Sequence, residues 1–196
     1  MLIGLAFTRS NSRKLGRNLA IIINAGSCGN RATDGMVRLE SDVLRFNPDL
    51  VIISFGMNDA GAGKSGLEDF SQSIRELVNR VRDKNGCEVL LRTPNPVVVP
   101  HQTGLSKQQR PGHCWPEQHQ HLYSQRMVAL ARELGCPVVD HYALWSQLPE
   151  TIAAESPNHL WMRMSDAFHP NQLGHLIFYR ELAPWFDLPR HFPWES

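Results

Sequence analysis

Four short apolar runs, Leu19–Asn24, Leu50–Phe55, Glu88–Arg92 and Pro137–Asp140, are spread along the chain. Each is rich in Val, Ile or Leu, and none alternates apolar with polar residues. Short unbroken runs of this kind suit strands covered on both faces, the condition of a parallel sheet. Between them the apolar period changes. Residues 33–46 carry Met36, Val37, Leu39, Val43, Leu44 and Phe46, and stop before Pro48. Residues 67–83 carry Leu67, Phe70, Ile74, Leu77, Val78 and Val81, and residues 117–134 carry Leu122, Met127, Val128, Leu130, Ala131 and Leu134, closed by Gly135. Spacings of three and four predict helices, and a last helix is predicted from Asn171 to about Trp185. Parallel strands need long crossovers, so this alternation predicts one α/β domain over residues 1–196, a three-layer α/β/α sandwich on a parallel sheet. Residues 94–116, rich in Pro, Gly, Gln and His, are too long for a routine connection and read as a functional loop.

Composition removes several function classes. Lys and Arg number 20 against 19 Asp and Glu, and no basic stripe points to nucleic acid. The longest apolar run, Leu19–Ile23, is far too short to span a bilayer. Residues 1–18 lack the apolar centre of a signal peptide, so a cytoplasmic location is expected. Cys28, Cys87, Cys114 and Cys136 are far apart and form no CxxC pair, which predicts reduced thiols, most of them buried.

Residues 51–70, "VIISFGMNDAGAGKSGLEDF", hold two overlapping motifs. Gly63-Lys64-Ser65 supplies the second half of a phosphate-binding loop, but the first glycine of that loop would fall at position 58, which is Asn58. Without it the backbone cannot easily wrap a phosphate. The other motif is a polar turn, Gly56-Met57-Asn58-Asp59, closing a buried strand. It has two companions: Asn24-Ala25-Gly26-Ser27-Cys28-Gly29-Asn30, and Asp166-Ala167-Phe168-His169-Pro170 before the last helix. In an open parallel sheet, ligands bind where strands end. Asp166 and His169, three apart, can share a turn in which the carboxylate orients the imidazole as a general base. Asn58 offers an amide N–H and Gly29 an unhindered backbone N–H, two donors suited to an oxyanion hole. Taken singly, Asn58 or Asp166 is a turn or cap residue more often than not.

Together these stretches resemble the SGNH hydrolases, the GDSL-like esterases and lipases. Gly29 in "NAGSCGN" stands at that family's block II glycine, Asn58 in "FGMND" at its block III asparagine, and Asp166 and His169 in "DAFHP" at its block V pair. "NPDLVIISFGMND" and "RTPNPV" are also similar to the family, and the resemblance runs from about residue 14 to about 185. It implies a flavodoxin-like α/β/α fold and metal-free hydrolysis of carboxylic esters or thioesters, with no cofactor. The partner implied is a small-molecule acyl ester. It also implies a serine nucleophile, with His169 as base and Asp166 orienting it.

The serine block of that family, Gly-Asp-Ser, does not occur in the chain. A β-α-β unit takes ~30 residues or more. Counted back from Asn24, the strand bearing the serine is expected upstream of Met1, and residues 1–16 read as the remnant of a crossover helix. The alternative is an inactive relative that binds without cutting. Ser27 lies in an Ala variant of the G-x-S-x-G turn, which normally follows several strands. Ser10 and Ser12 lack the Gly-Asp context. A zinc site is a further rival, because His113, Cys114, His119 and His121 cluster in "HCWPEQHQH", but their spacing fits no standard pattern.

Overall fold

The computed structural model describes residues 8–10, 19–84, 86–97, 116–152, 165 and 168–186. These fall into two compact units, one within Met1–Pro94 and Cys114–Val138, the other within Asn95–His113 and Val139–Ser196.

The first unit is built on β3 (Leu50–Ile53) and β4 (Glu88–Arg92), which pair in parallel with Val51 opposite Val89 and Ile53 opposite Leu91. β5 (Val138–Val139) lies on the far side of β4, so the sheet order is β3-β4-β5. Leu91 N–H donates to Pro137 O at 3.0 Å as β5 begins. Val51, Ile53, Val89 and Leu91 face the core that the helices fill. Ile52 and Leu90 point the other way and are equally buried. Burial on both faces explains why neither strand alternates in sequence.

Three helices line that core: α1 (Ala32–Asp42), α2 (Leu67–Asp83) and α3 (Pro116–Glu133). α2 buries Phe70, Ile74, Leu77, Val78 and Val81, the stripe read from its sequence. On α3 the buried residues are Gln120, Tyr123, Ser124, Met127, Leu130 and Ala131, so the helix turns Leu122 and Val128 partly outward. On α1, Val37 is 85% exposed, and Ala32 and Leu39 face inward.

The N-terminal expectations need correction. Leu19–Asn24 is not a buried parallel strand. β2 (Leu19–Ile21) pairs antiparallel with β1 (Thr8–Ser10) in a separate two-stranded sheet, and Ile21 and Ile22 are about half exposed, at 49% and 58%. Residues 8–10 are therefore strand, not the remnant of a crossover helix. An antiparallel pair can leave one face open, so an apolar run there does not report burial.

In the second unit, α4 (His141–Ile152) and α5 (Gln172–Leu182) frame an aromatic cluster. The Phe178 ring lies 4.6 Å from His141, 5.5 Å from Trp145 and 5.8 Å from His175, centroid to centroid. A 3-10 turn, Ala183–Phe186, extends α5, so the predicted last helix stands at its expected place. The sequence reading contains no counterpart of α4.

Candidate active site

The segment after β2 is shaped by its polar residues. Asn24 Oδ1 accepts the Gly26 N–H at 2.9 Å. The Arg38 guanidinium, paired with Asp42 one turn along α1, donates to Ala25 O at 3.3 Å. Asn30 N–H then donates to Ser27 O at 3.4 Å, closing a turn in which Gly29 adopts φ +77. Side chains avoid that conformation. No atom lies within 4 Å of where a Gly29 Cβ would be, so backbone conformation rather than crowding calls for glycine at this position.

The turn after β3 is similar in logic. Gly56 takes φ +116, and 3-10 turns follow over Asp59–Gly66. Asn58 precedes these turns, yet its side chain caps none of their N–H groups. Instead Asn58 Nδ2 donates to Asn30 O at 3.0 Å. A carboxamide nitrogen carries two hydrogens, so one remains for another acceptor. The next residue, Asp59, is 6% exposed. Its Oδ1 accepts the Ala32 N–H at 2.8 Å and its Oδ2 the Gly56 N–H at 2.9 Å. Burial pushes the Asp59 pKa above the ordinary carboxylate value, while these backbone donors and Arg31 pull it down. The turns bearing Gly29 and Asn58 are thus tied together twice within a few residues of each.

The glycine-rich stretch that resembles half a phosphate loop is otherwise engaged. Ala60 and Gly61 donate to Gly56 O and Asn58 O, both at 3.2 Å. Gly63 O accepts the Tyr123 hydroxyl at 2.7 Å. A Cβ on Gly66 would come within 2.6 Å of Ala62 Cβ and 2.7 Å of the Tyr123 oxygen. These glycines serve close packing against α3.

The second unit holds the other candidates. Asp166 lies outside the described residues. His169 is exposed, and its carbonyl accepts the Ser165 N–H at 2.7 Å. Buried Asn95, from "RTPNPV", donates to Phe168 O at 3.1 Å. After Pro170, Asn171 caps α5 by accepting the Gly174 N–H at 3.1 Å. Sequence reasoning passes over both Asn95 and Asp59. The signal for Asn95 is a carboxamide set between two prolines, and that for Asp59 an aspartate directly after Asn58.

Of the alternative serines, Ser10 ends β1, Ser12 lies outside the described residues, and Ser27 opens the Gly29 turn. A nucleophile turn runs from strand straight into helix. After Ser27, several residues pass before α1 begins at Ala32. Among the zinc candidates, His113 and Cys114 lie outside the described residues. His119 and His121 are two apart on α3, and residues at that spacing do not face each other. No group of three metal-ligating side chains is found among the described residues. Cys87 and Cys136 are buried and Cys28 is exposed. No described helix is long and apolar enough to cross a membrane.

Comparison with known proteins adds to this geometry. The GDSL-like lipase/acylhydrolase family matches residues 6–177. No curated protein matches in sequence. Among solved structures, Axe2, an acetylxylan esterase from Geobacillus stearothermophilus, is 22% identical with a TM-score of 0.64, over 93% of this chain and 78% of its own. The acetyl xylan esterase AlAXEase is 23% identical with a TM-score of 0.63, over 84% and 79%. BT4096, a gut microbial diltiazem-metabolizing enzyme, is 19% identical with a TM-score of 0.64, over 82% and 38%. At these identities the likeness is one of fold, a mixed α/β fold on a parallel sheet. Catalytic mutants of Axe2 have been solved with a serine, an aspartate, and a histidine three positions after that aspartate each changed to alanine.

Proposed function

The chain belongs to the GDSL-like lipase/acylhydrolase family and is an ester hydrolase, and from that premise we propose which residues do the work and on what. Gly29 N–H and Asn58 Nδ2 donate to the oxyanion that forms when an acyl carbonyl is attacked. His169 takes the proton of the attacking group and returns it to the leaving alcohol, and Asp166 orients the imidazole. The substrate is a small acyl ester, in our reading an acetyl ester on a carbohydrate, the class for which both acetylxylan esterases are named.

One observation carries the assignment: Asn58 leaves the helix start beside it uncapped and reaches instead to Asn30, next to Gly29. The Asp166–His169 spacing also equals that of the aspartate and histidine changed in the Axe2 mutants.

The family's Gly-Asp-Ser is not in these 196 residues, which favours a second reading, a domain that binds the ester without turnover. Hydrolysis of p-nitrophenyl acetate separates the two. On the first reading the chain retains the ~10³–10⁴-fold residual over water that oxyanion hole and binding provide. Asn58→Ala then lowers that residual by ~10²–10³, and combined Ser10→Ala, Ser12→Ala and Ser27→Ala leave it unchanged. A rate equal to the uncatalysed one supports the binding domain. Strong turnover abolished by Ser27→Ala alone would overturn both readings and make Ser27 the nucleophile.

A further inference from the structure

Buried carboxylates are costly unless something requires them. Asp59 is buried, and its two oxygens accept from two separate segments. Ala32, the first residue of α1, stands three positions after Gly29, and Gly56 stands two positions before Asn58. Helix capping alone does not account for the arrangement, because only Asp59 Oδ1 serves the start of α1, while Oδ2 accepts from Gly56, which lies outside any helix.

We propose that Asp59 is a positioning residue that locks the Gly29 turn to the Asn58 turn and so sets the spacing of the two oxyanion donors. The proposal rests on the oxyanion reading above. With the Asn58–Asn30 hydrogen bond, Asp59 closes a small ring: Asn30 to Ala32 along one segment, Asn58 to Asp59 along the other, joined at both ends, with Gly29 directly before it and Gly56 tied to the second Asp59 oxygen. Asn58 Nδ2 is a member of that ring, and Gly29 is bonded covalently to Asn30, which the ring holds, so both donors are anchored to it. The carboxylate suits the task because both its oxygens only accept. Hydrogen bonds from backbone N–H to a charged acceptor are also the stronger kind. An asparagine at position 59 would turn an NH₂ toward one of the two N–H groups.

The test is a titration of the ¹⁵N-labelled chain with sodium acetate, read at the Gly29 backbone amide and the Asn58 side-chain amide. In the unsubstituted chain both resonances move with one shared dissociation constant. In Asp59→Asn the chain still melts cooperatively, but the shared constant weakens at least ~10-fold or splits into two. Ala32→Pro provides a second route, removing one N–H while leaving Asp59 intact. Proline is tolerated at the first helical position, and Arg31, at φ −100 and ψ 173, has the extended backbone that a residue before proline needs. The same loss is expected. Retention of the shared constant in either folded variant overturns the positioning role and leaves the oxyanion reading standing. Loss of cooperative melting in both marks Asp59 as a folding residue and also overturns it. If neither resonance responds in the unsubstituted chain, the oxyanion reading itself fails and the positioning role fails with it.

Discussion

Gly56 and Gly135 both have positive φ, yet their replacement by alanine is expected to differ. At Gly135 φ is +60, within the left-handed region, and a Cβ there meets nothing within 4 Å. Alanine at 135 is expected to cost about 1 kcal/mol. At Gly56 φ is +116, outside even that region, and a Cβ would touch Tyr123 at 3.5 Å. Alanine at 56 is expected to cost roughly 2–3 kcal/mol. Urea unfolding of the two variants under one condition checks the order. Asp59 gives a second prediction, in pH. Its folded pKa is raised, so through the window between the unfolded and folded values the folded state binds more protons. Stability from this group is present below the unfolded pKa and falls as pH rises through the folded one. The unfolding free energy of the unsubstituted chain minus that of Asp59→Asn should therefore fall as pH rises above about 4, the ordinary aspartate value. A difference that rises over that range would contradict the sign. Glycine positions and the Asn58 amide could be picked out in sequence because their chemistry is local. The role of Asp59 could not, because it depends on Ala32, 27 residues away.

At the scale of elements, legibility followed burial. α2 begins and ends where its periodicity placed it, and β4 spans the predicted residues. Both lie in the packed core, where pattern and position are coupled. β2 was read as a strand but with the wrong pairing and burial, because it lies on a small antiparallel sheet where Ile21 is half exposed. α4 escaped the reading because "HYALWSQLPETI" carries Pro149 within the helix, a residue that ordinarily ends one. The contrast between core and surface carries the prediction at this scale. Ile74 on α2 is completely buried, and Ile74→Ala should cost ~2–5 kcal/mol. Arg75, its neighbour, reaches α3 by bonding Glu133 from Nε at 2.7 Å and Nη2 at 3.2 Å. Exposed pairs contribute at most ~1 kcal/mol, so Arg75→Ala should shift the denaturation midpoint far less than Ile74→Ala. Equal shifts would mean that α2 and α3 are held together mainly by the ion pair.

For the molecule as a whole, charge sets one expectation. The net charge is +1 with histidine neutral, and the chain has nine histidines. Near pH 7 there is little self-repulsion to keep molecules apart. As pH falls through ~6.5, the ordinary histidine value, the net charge climbs. The second virial coefficient from static light scattering should become more positive from about pH 7.5 to about pH 6. A flat or falling coefficient would show that apolar surface, such as exposed Ile22, governs association instead. The ring that runs from Asn30 to Ala32 and from Asn58 to Asp59 has a consequence for how this sequence can change over time. It tolerates no change of length. One residue inserted or lost between Asn30 and Ala32, or between Gly56 and Asp59, pulls the bonded groups away from their partners. Val37, by contrast, a little beyond Ala32 on the same helix, is 85% exposed and open to substitution. Descendants of this gene should therefore drift freely along the outer face of α1 and keep the residue count of these two short segments.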